Sequence, residues 1–275
     1  MHLPTLLDVA SGVIIVAHKE NTVQLADALT SEGFEVEEVR GPYDARQSEF
    51  SAAMRCFINH RNAWLIAASR QKPTVIVEAD FVPVLGFGRL IAPVPAGKKD
   101  FSIAYLYSVA PQMWDVATEN AVRGHAGGLV ATLVPPRTAS LLLEFFDEVL
   151  ASNPSGEYVP FDAQLGYWLL ERGCDSYIPY RQFGEHGGLT NPEHQAHGLG
   201  RAHRADALQA RLAFLPIYAS GSKTVFFFVR VRARLWGWAR LCTGRTISIA
   251  DIFRTDIKAT IRFVFGRLCT PALPR

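Results

Sequence analysis

The fold is decided by the stretch Thr74-Val-Ile-Val-Glu-Ala-Asp80, in which a β-branched run ends abruptly in two acids. Such a run predicts a strand that is buried on both faces, as the central strands of parallel sheets are. Glu78 and Asp80 follow at the carboxyl end of that strand, where acids are costly to bury unless a metal, another cation or water meets them. In an open α/β sheet this end is also where ligands bind.

The segments around this strand predict alternating strands and helices. Before it we expect a strand at 12–17, a helix with Asn21 as its N-cap that closes at Gly33, a strand at 34–39 and a helix over about 48–70. After it we expect a strand at 127–134, helices from Pro135 to Asn153 and at 161–172, a short strand at 176–179, and irregular loops at 83–100 and 183–204. This order predicts an α/β fold with a mostly parallel central sheet flanked by helices.

Composition narrows the class of protein. With 275 residues, 49% of them hydrophobic and 20% charged, the chain fits one large domain with an appendage. Its four cysteines are far apart, which argues against a zinc knuckle or a disulfide framework and indicates reduced thiols in the cytoplasm. We find no secretory signal pattern, no apolar run near the roughly 18–20 residues that span a bilayer, and no P-loop, GxSxG, GxGxxG or HExxH motif.

Charge is divided unevenly along the chain. Residues 1–198 contain 14 Lys and Arg against 23 Asp and Glu, a net charge of −9, whereas residues 199–275 contain 14 against 3, a net charge of +11. We therefore expect a domain at 1–198 and a basic extension at 199–275. Apolar and Arg residues interleave over 225–241 and predict a basic amphipathic helix, although the stretch 229–232 also fits an alternating strand.

Several polar residues are candidates for a site, and each has an ordinary alternative. Glu78 and Asp80 suit Mg²⁺ or Mn²⁺ beside a diphosphate, because these ions prefer hard oxygen ligands; alternatively both acids are solvated, or one caps a helix. Asp162 is either a functional carboxylate or a common first-turn acid. His186, in a Gly-rich loop, reaches a metal or a phosphate or is an ordinary loop histidine. His60, on the long helix, is more typical of a core or interface histidine.

Taken together, these pieces resemble glycosyltransferase family 25, which includes bacterial lipopolysaccharide and lipooligosaccharide biosynthesis enzymes. The likeness covers roughly 12–195 and rests on segments that follow the family's order: Ile14–Lys19, Ala53–Trp64, Val75–Val82, Gly124–Leu143, Tyr158–Asp162, and Ile178–Gln182 followed by His186-Gly-Gly. The chain departs from the family pattern in three places. Ala79 replaces the middle Asp of Glu-Asp-Asp, Asn59 replaces the Ser before the family His, and His18 and Lys19 stand in the opening segment.

The resemblance implies a GT-A-like fold and a hexosyltransferase. The implied reaction moves a sugar from a nucleotide-sugar donor, with a UDP-sugar expected, to a bacterial cell-envelope glycan such as lipopolysaccharide core, assisted by Mn²⁺ or Mg²⁺. The implied site residues are Glu78, Asp80 and His186 for the metal, Asp162 for the catalytic base, and Lys19, Glu78 and Arg123 for the donor. The alternative function is a non-catalytic glycosyltransferase-like protein that binds a glycan or lipid partner.

The basic extension adds an expectation about location. A basic segment gains about 1 kcal/mol per Lys or Arg from an anionic membrane, so we expect a cytoplasmic protein that is peripheral on the inner face of the inner membrane and acts on a lipid-linked acceptor. The alternative is that the extension packs its aromatic residues onto the core and exposes its arginines to water. Nucleic acid is disfavoured as a partner, because the main domain is acidic and no nucleic-acid-binding fold is recognisable.

Overall fold

The stretch 74–78 forms a strand at the middle of a large sheet, as its sequence predicts. The computed structural model describes residues 3–95, 100–190, 192–198, 203–243 and 257–268. Its strands are β1 Val13–Val16, β2 Val36–Val39, β3 Thr74–Glu78, β4 Phe81–Pro83, β5 Ser102–Tyr105, β6 Val109–Val116, β7 Ala121–Gly127, β8 Ala131–Val134, β9 Asp175–Pro179 and β10 Gly184–His186. Its helices are α1 Leu6–Val9, α2 Val23–Ser31, α3 Ala52–Ser69, α4 Pro136–Ser152, α5 Phe161–Glu171, α6 Pro192–Ala196, α7 Lys223–Cys242 and α8 Ile257–Leu268.

Eight of these strands form one mixed sheet in the order β2-β1-β3-β8-β5-β9-β7-β6. β1 is parallel to both β2 and β3, and β5 is parallel to β9, whereas β7 and β8 run opposite to the other six strands. The expected α/β fold, with a mostly parallel central sheet flanked by helices, is therefore confirmed.

Two apolar cores cover the two faces of the sheet, because alternate residues of a strand point to opposite sides. On one face Ile14 and Ile76 pack with residues of α3, α4 and α5. On the other face Val75 and Val77 pack with residues of α1 and α2. Val75, Ile76 and Val77 have no exposed surface, which explains why the run contains no polar residue before its end.

The structure corrects several expected boundaries. Thr22, not Asn21, is the N-cap of α2, although the Asn21 side chain still accepts a hydrogen bond from the Val23 amide at 3.0 Å. The strand expected at 127–134 begins later, as β8 at Ala131. Gly127 is instead the last residue of β7, and the chain turns between the two strands. The loop expected at 83–100 contains the end of β4 and a 3₁₀ turn, and the one expected at 183–204 contains β10 and α6. The sequence does not predict β4, β5 or β6, nor β7 before Gly127.

β4 and β10 pair antiparallel in a small second sheet beside the carboxyl end of β3. Residues 205–218 extend along this pair through backbone hydrogen bonds. Leu85 donates to Arg211 at 2.7 Å, Ala213 donates to Pro83 at 2.8 Å, and Tyr218 donates to Gly187 at 3.1 Å. The start of the basic extension is thus part of the structure around β4 and β10.

The helix expected at 225–241 is confirmed as α7, and the strand alternative for 229–232 is wrong. Arg232 of α7 is exposed, but Arg230 and Arg234 are directed toward the rest of the protein. Arg230 pairs with the fully buried Glu185, and Arg234 donates to the backbone oxygens of Asp206 and Arg267. On α8, Arg267 donates from Nη1 to both carboxylate oxygens of Asp206 at 2.6 Å.

The exposed side of α7 is instead apolar. Phe227 and Phe228 are 61% and 65% exposed, and Leu235 and Trp238 are 55% and 45% exposed. The alternative in which the extension buries its aromatic residues and exposes its arginines is therefore wrong for Phe227, Phe228 and Trp238, which are exposed. It is also wrong for Arg230 and Arg234, which are held by the protein. Among the helices that the structure describes, none has the length and apolar character to cross a membrane.

Candidate active site

Glu78 and Asp80 lie on the same side of the chain at the carboxyl end of β3. The amide of Ala79 donates to the carbonyl of Val16 at 2.9 Å, so the ladder with β1 continues one residue past the strand. Residues 79 and 80 then form a turn, and Ala79 packs against the apolar core that includes α1 and α2. The carboxylates of Glu78 and Asp80 meet in one cluster at this edge of the sheet.

His186 reaches this edge because β10 pairs with β4. In the register of the pair, His186 is opposite Phe81, and the Gly187 amide donates to the carbonyl of Asp80 at 2.7 Å. This pairing places His186 Nε2 2.8 Å from Asp80 Oδ2. A Cβ atom on Gly188 would lie 2.1 Å from the same oxygen, so only glycine fits here without moving the carboxylate.

Asp80 and His186 form an ion pair. Burial alone raises the pKa of the Asp80 carboxyl, but the charge and hydrogen bond of His186 outweigh it and lower that pKa below its usual value. Burial lowers the pKa of His186, and Asp80 reverses this and raises it to about 9. Arg204 holds the end of β10 and the residues after it in place, because its Nη1 and Nη2 donate to the carbonyls of His186 and Gly188, both at 2.7 Å.

The three side chains fit a divalent cation. One ligand atom from each of Glu78, Asp80 and His186 lies within 4.8 Å of the others. Asp80 Oδ1 is buried and accepts no hydrogen bond from the residues that the structure describes. Two carboxylates with one imidazole are a donor set that suits Mn²⁺ and also accepts Mg²⁺. The residues expected to hold the metal are thus brought together.

Two residues of α3 lie against the same cluster. Cys56 and His60 are one helical turn apart, and His60 Nε2 lies 3.1 Å from Glu78 Oε1. Burial raises the pKa of the Cys56 thiol well above its usual value, and the charges of Glu78, Asp80, Glu20 and Asp162 add to this effect. The sequence alone favours a core or interface role for His60. The spacing of four residues between Cys56 and His60 on one helix is the sequence signal for a shared role.

Tyr105 and Tyr107, at the carboxyl end of β5, add two hydroxyls that sequence reasoning missed. Both side chains are about 1% exposed, and both hydroxyls are without a hydrogen-bond partner in the described part of the chain. The ring of Tyr107 lies 6.1 Å from that of His186, measured between centroids. Tyr105 packs in the core with α3, α4 and α5, and Tyr107 packs in the core with α1 and α2, so of the two only Tyr107 is placed beside His186.

Asp162 lies in the first turn of α5, next to Phe161, whose ring stacks on Phe57 of α3. Its carboxylate accepts a hydrogen bond from the Ala163 amide at 2.9 Å, as expected of a first-turn acid. Burial is the main cause that raises the pKa of Cys56 and of Tyr105, and the charge of Asp162 adds to it in both cases. The ordinary and the functional interpretation of Asp162 are therefore compatible.

The two basic residues expected at the donor site lie in different places. Lys19 follows β1, which is parallel to β3, so it lies at the same edge of the sheet as Glu78. The amide of Lys19 donates to the Glu20 carboxylate at 3.0 Å. Arg123, on β7, is ion-paired with Asp175 at 3.3 Å and Asp115 at 3.4 Å. Because Asp175 begins β9, this group lies toward the opposite end of the sheet, and no contact in the described ranges joins it to the metal cluster.

Asn59, which stands where the family has Ser, connects three segments. Its Nδ2 donates to the carbonyl of Ala17 and to the hydroxyl of Tyr43, both at 2.7 Å, and its Oδ1 accepts from the Gly41 amide at 2.9 Å. The residue is 1% exposed. Asn59 thus fixes the loop after β1, which carries Lys19.

No family model and no curated protein matches this chain, so its function is inferred from the geometry of the site.

Proposed function

We propose that this protein is a metal-assisted glycosyltransferase that uses a nucleotide-sugar donor. The observation that carries the proposal is the convergence of Glu78, Asp80 and His186 at the carboxyl edge of the sheet, where Asp80 Oδ1 is buried and has no hydrogen-bond partner among the described residues. In α/β sheets this edge is where ligands bind. The layered sheet, with cation ligands following its central strand, supports assignment of a GT-A-like fold.

The position of Ala79 supports an intact metal site. Family 25 enzymes, which the chain resembles, have an acid here, and its loss raises the question of whether a ligand is missing. Ala79 packs against the apolar core, and the ligand atoms of the cluster come from Glu78, Asp80 and His186. Glu78 and Asp80 preserve the two carboxylates that face the cluster, so the substitution leaves these ligands in place.

The chemistry follows from the charges that develop during sugar transfer. The bond between the anomeric carbon and the donor phosphate oxygen breaks, and a bond to the acceptor hydroxyl oxygen forms. Asp162 is our candidate base, which takes the hydroxyl proton. A cation held by Glu78, Asp80 and His186 supplies neutralisation of the charge on the departing nucleoside diphosphate. Lys19, at the same edge, is a candidate for binding the diphosphate, whereas Arg123 is engaged elsewhere by carboxylates.

A non-catalytic binding protein is the second candidate. The observation that favours it is the ion pair of Asp80 with His186, which gives Asp80 Oδ2 and His186 Nε2 a partner without a metal. Such a protein binds a nucleotide sugar or glycan at the same edge of the sheet but does not turn it over.

One experiment separates these candidates. The purified protein is incubated with UDP-, GDP- and CMP-sugars in Mn²⁺, Mg²⁺ or EDTA, and release of the nucleotide is measured beside calorimetric binding. We expect metal-dependent release that Asp80→Asn lowers at least about 100-fold, since the change removes a charged ligand of the leaving-group cation. Asp27→Asn, an exposed change on α2, is the matched control. Binding without release would support the second candidate, and absence of both would refute the proposal.

We further propose that the acceptor is a lipid-linked glycan of the bacterial envelope and that α7 contacts the cytoplasmic membrane surface. The exposed aromatic face of α7 supports this placement, because apolar patches rimmed by polar residues mark interaction surfaces. Since Arg230 and Arg234 are held by the protein itself, insertion of the apolar face supplies more of the attachment than charge does. This revises the electrostatic mechanism expected from the sequence.

A further inference from the structure

A second group of metal-ligating side chains lies beside the Glu78–Asp80–His186 cluster. Cys56, His60 and Glu78 each offer a ligand atom, and these atoms lie within 4.8 Å of one another. Two of the three ligands come from adjacent turns of α3, and the third comes from the end of β3, so two regular elements fix their spacing. This set differs from the first cluster in chemistry because it contains a thiol.

We propose that Cys56, His60 and Glu78 form a second cation site, selective for Zn²⁺ or another thiophilic divalent ion. Thiolate and imidazole ligands favour such ions, whereas carboxylates and water favour Mg²⁺ and Mn²⁺. Three protein ligands with one open position are typical of zinc sites that bind a water or a substrate atom. On binding, the Cys56 thiol gives its proton to solvent and the sulfur bonds to the metal.

The surroundings favour a cation at this point. His60 is 1% exposed, its Nε2 faces Glu78, and its Nδ1 has no hydrogen-bond partner in the described part of the chain. The ring of Phe57 stacks on that of Phe161 at 4.1 Å between centroids, which holds α3 against α5 and limits movement of the two helix ligands. Rigid elements present ligands more accurately than loops do.

The two sites share Glu78. A carboxylate with two oxygens can bridge two metal ions, as it does in sites where the ions are roughly 3.5–4 Å apart. The second site is independent of the proposed glycosyl transfer, because its ligands, its metal and its light absorption can be measured without a nucleotide sugar. It requires only that Cys56, His60 and Glu78 meet the same ion.

The test is a titration with Co²⁺, which replaces Zn²⁺ and gives a thiolate-to-metal charge-transfer absorption when sulfur is a ligand. The protein carries Asp80→Asn and His186→Asn, so that the harder site is disabled. We expect one Co²⁺ to bind per chain and to give the thiolate absorption. Added Zn²⁺ should displace the Co²⁺ and abolish this absorption. Cys56→Ser in this background should abolish the absorption and weaken Zn²⁺ binding more than about 100-fold, because even outer-shell changes cost 10–100-fold.

Cys242→Ser is the matched control, because Cys242 is an exposed thiol on α7, and it should leave the absorption unchanged. Circular dichroism and a thermal melt check that each variant folds. If Cys56→Ser fails to fold, Cys56→Ala and His60→Gln replace it with the same expected loss. Co²⁺ binding without thiolate absorption, absorption that survives loss of Cys56, or no binding of either metal would each refute the site.

Discussion

His186 Nε2 lies 2.8 Å from Asp80 Oδ2, although 106 residues separate the two in the chain. The contact exists because the antiparallel pair of β4 and β10 brings the ends of two distant segments together. It joins the turn after the central strand β3 to the last residue of β10.

The first prediction concerns the pH dependence of stability without added metal. The folded-state pKa of His186, about 9, lies above its unfolded value near 6.5, so its stabilisation is complete below about pH 6.5 and is lost as the pH rises through about 9. Asp80 has a lowered pKa, so its contribution is present above about pH 4 and is lost as the pH falls through the folded-state value.

Urea unfolding of the wild type and of His186→Gln, measured from pH 5 to 9.5 in EDTA, checks this prediction. We expect the difference in unfolding free energy to be about 1.5–3 kcal/mol at pH 5–6, a magnitude typical of hydrogen bonds to charged groups, and to shrink toward pH 9.5. His197→Gln, an exposed change on the turn after α6, is the control. A difference that is constant over this range would contradict the ion pair.

The second prediction concerns the buried ion pair of Arg230 with Glu185. Arg230→Met should destabilise the protein by about 3–5 kcal/mol, because it leaves a fully buried carboxylate without its cation. Arg232→Met, an exposed change on the same helix, should alter stability by no more than about 0.5 kcal/mol. Chemical denaturation measures both, and the double variant Arg230→Met/Glu185→Gln should recover much of the loss. Equal effects of the two single changes would show that the pair contributes nothing.

The third prediction concerns Gly188. Gly188→Ala places a methyl group where Asp80 Oδ2 lies, so the carboxylate must move away from His186. We expect Mn²⁺ affinity to fall about 10–100-fold, the range found when the groups that orient metal ligands are changed. Gly127→Ala is the control, because the nearest atom to its added carbon would be 3.9 Å away. Unchanged Mn²⁺ affinity in Gly188→Ala, measured by calorimetry, would place the metal elsewhere.

The fourth prediction concerns attachment to lipid. Phe228 and Leu235 are each more than half exposed, and burying such side chains contributes about 1.5–3 kcal/mol each. Phe228→Ser/Leu235→Ser should therefore weaken vesicle binding at least about 100-fold, whereas Arg232→Gln should have a small effect. Flotation with neutral and anionic vesicles at low and high salt tests this. Binding that vanishes at high salt would restore the electrostatic mechanism.

The sequence predicts the centre of the fold well, because local patterns there agree with burial. The run at 75–77 is apolar on both sides and becomes a strand with two covered faces. β6 escapes detection because Pro111 and Asp115 interrupt its pattern, and the register with β7 shifts between Val109 and Gln112. A proline inside a strand argues against a strand unless a bulge accommodates it, and the bulge is visible only once the partner strand is known.

The residues of the candidate site also divide into some that the sequence singles out and some that it does not. Glu78, Asp80 and His186 stand out from sequence because acids after a buried strand and a histidine between glycines are poor choices for packing. Tyr105 and Tyr107 do not stand out, because buried tyrosines are common, and only the lack of a partner for their hydroxyls marks them. The inward direction of Arg230 depends on Glu185, which lies 45 residues earlier and on another element.

The pairing of β4 with β10 also determines when the site is completed during synthesis. While the chain emerges from the ribosome, β1, β2 and β3 can pair soon after residue 78, but Asp80 meets His186 only after 106 further residues. Glu185 gains its ion pair only after Arg230 has also been synthesised. A chain that stops at 198 has the central strands and all three metal ligands, and the hydrogen bonds of Arg204 to the loop after β10 and of Arg230 to Glu185 come only from the basic extension.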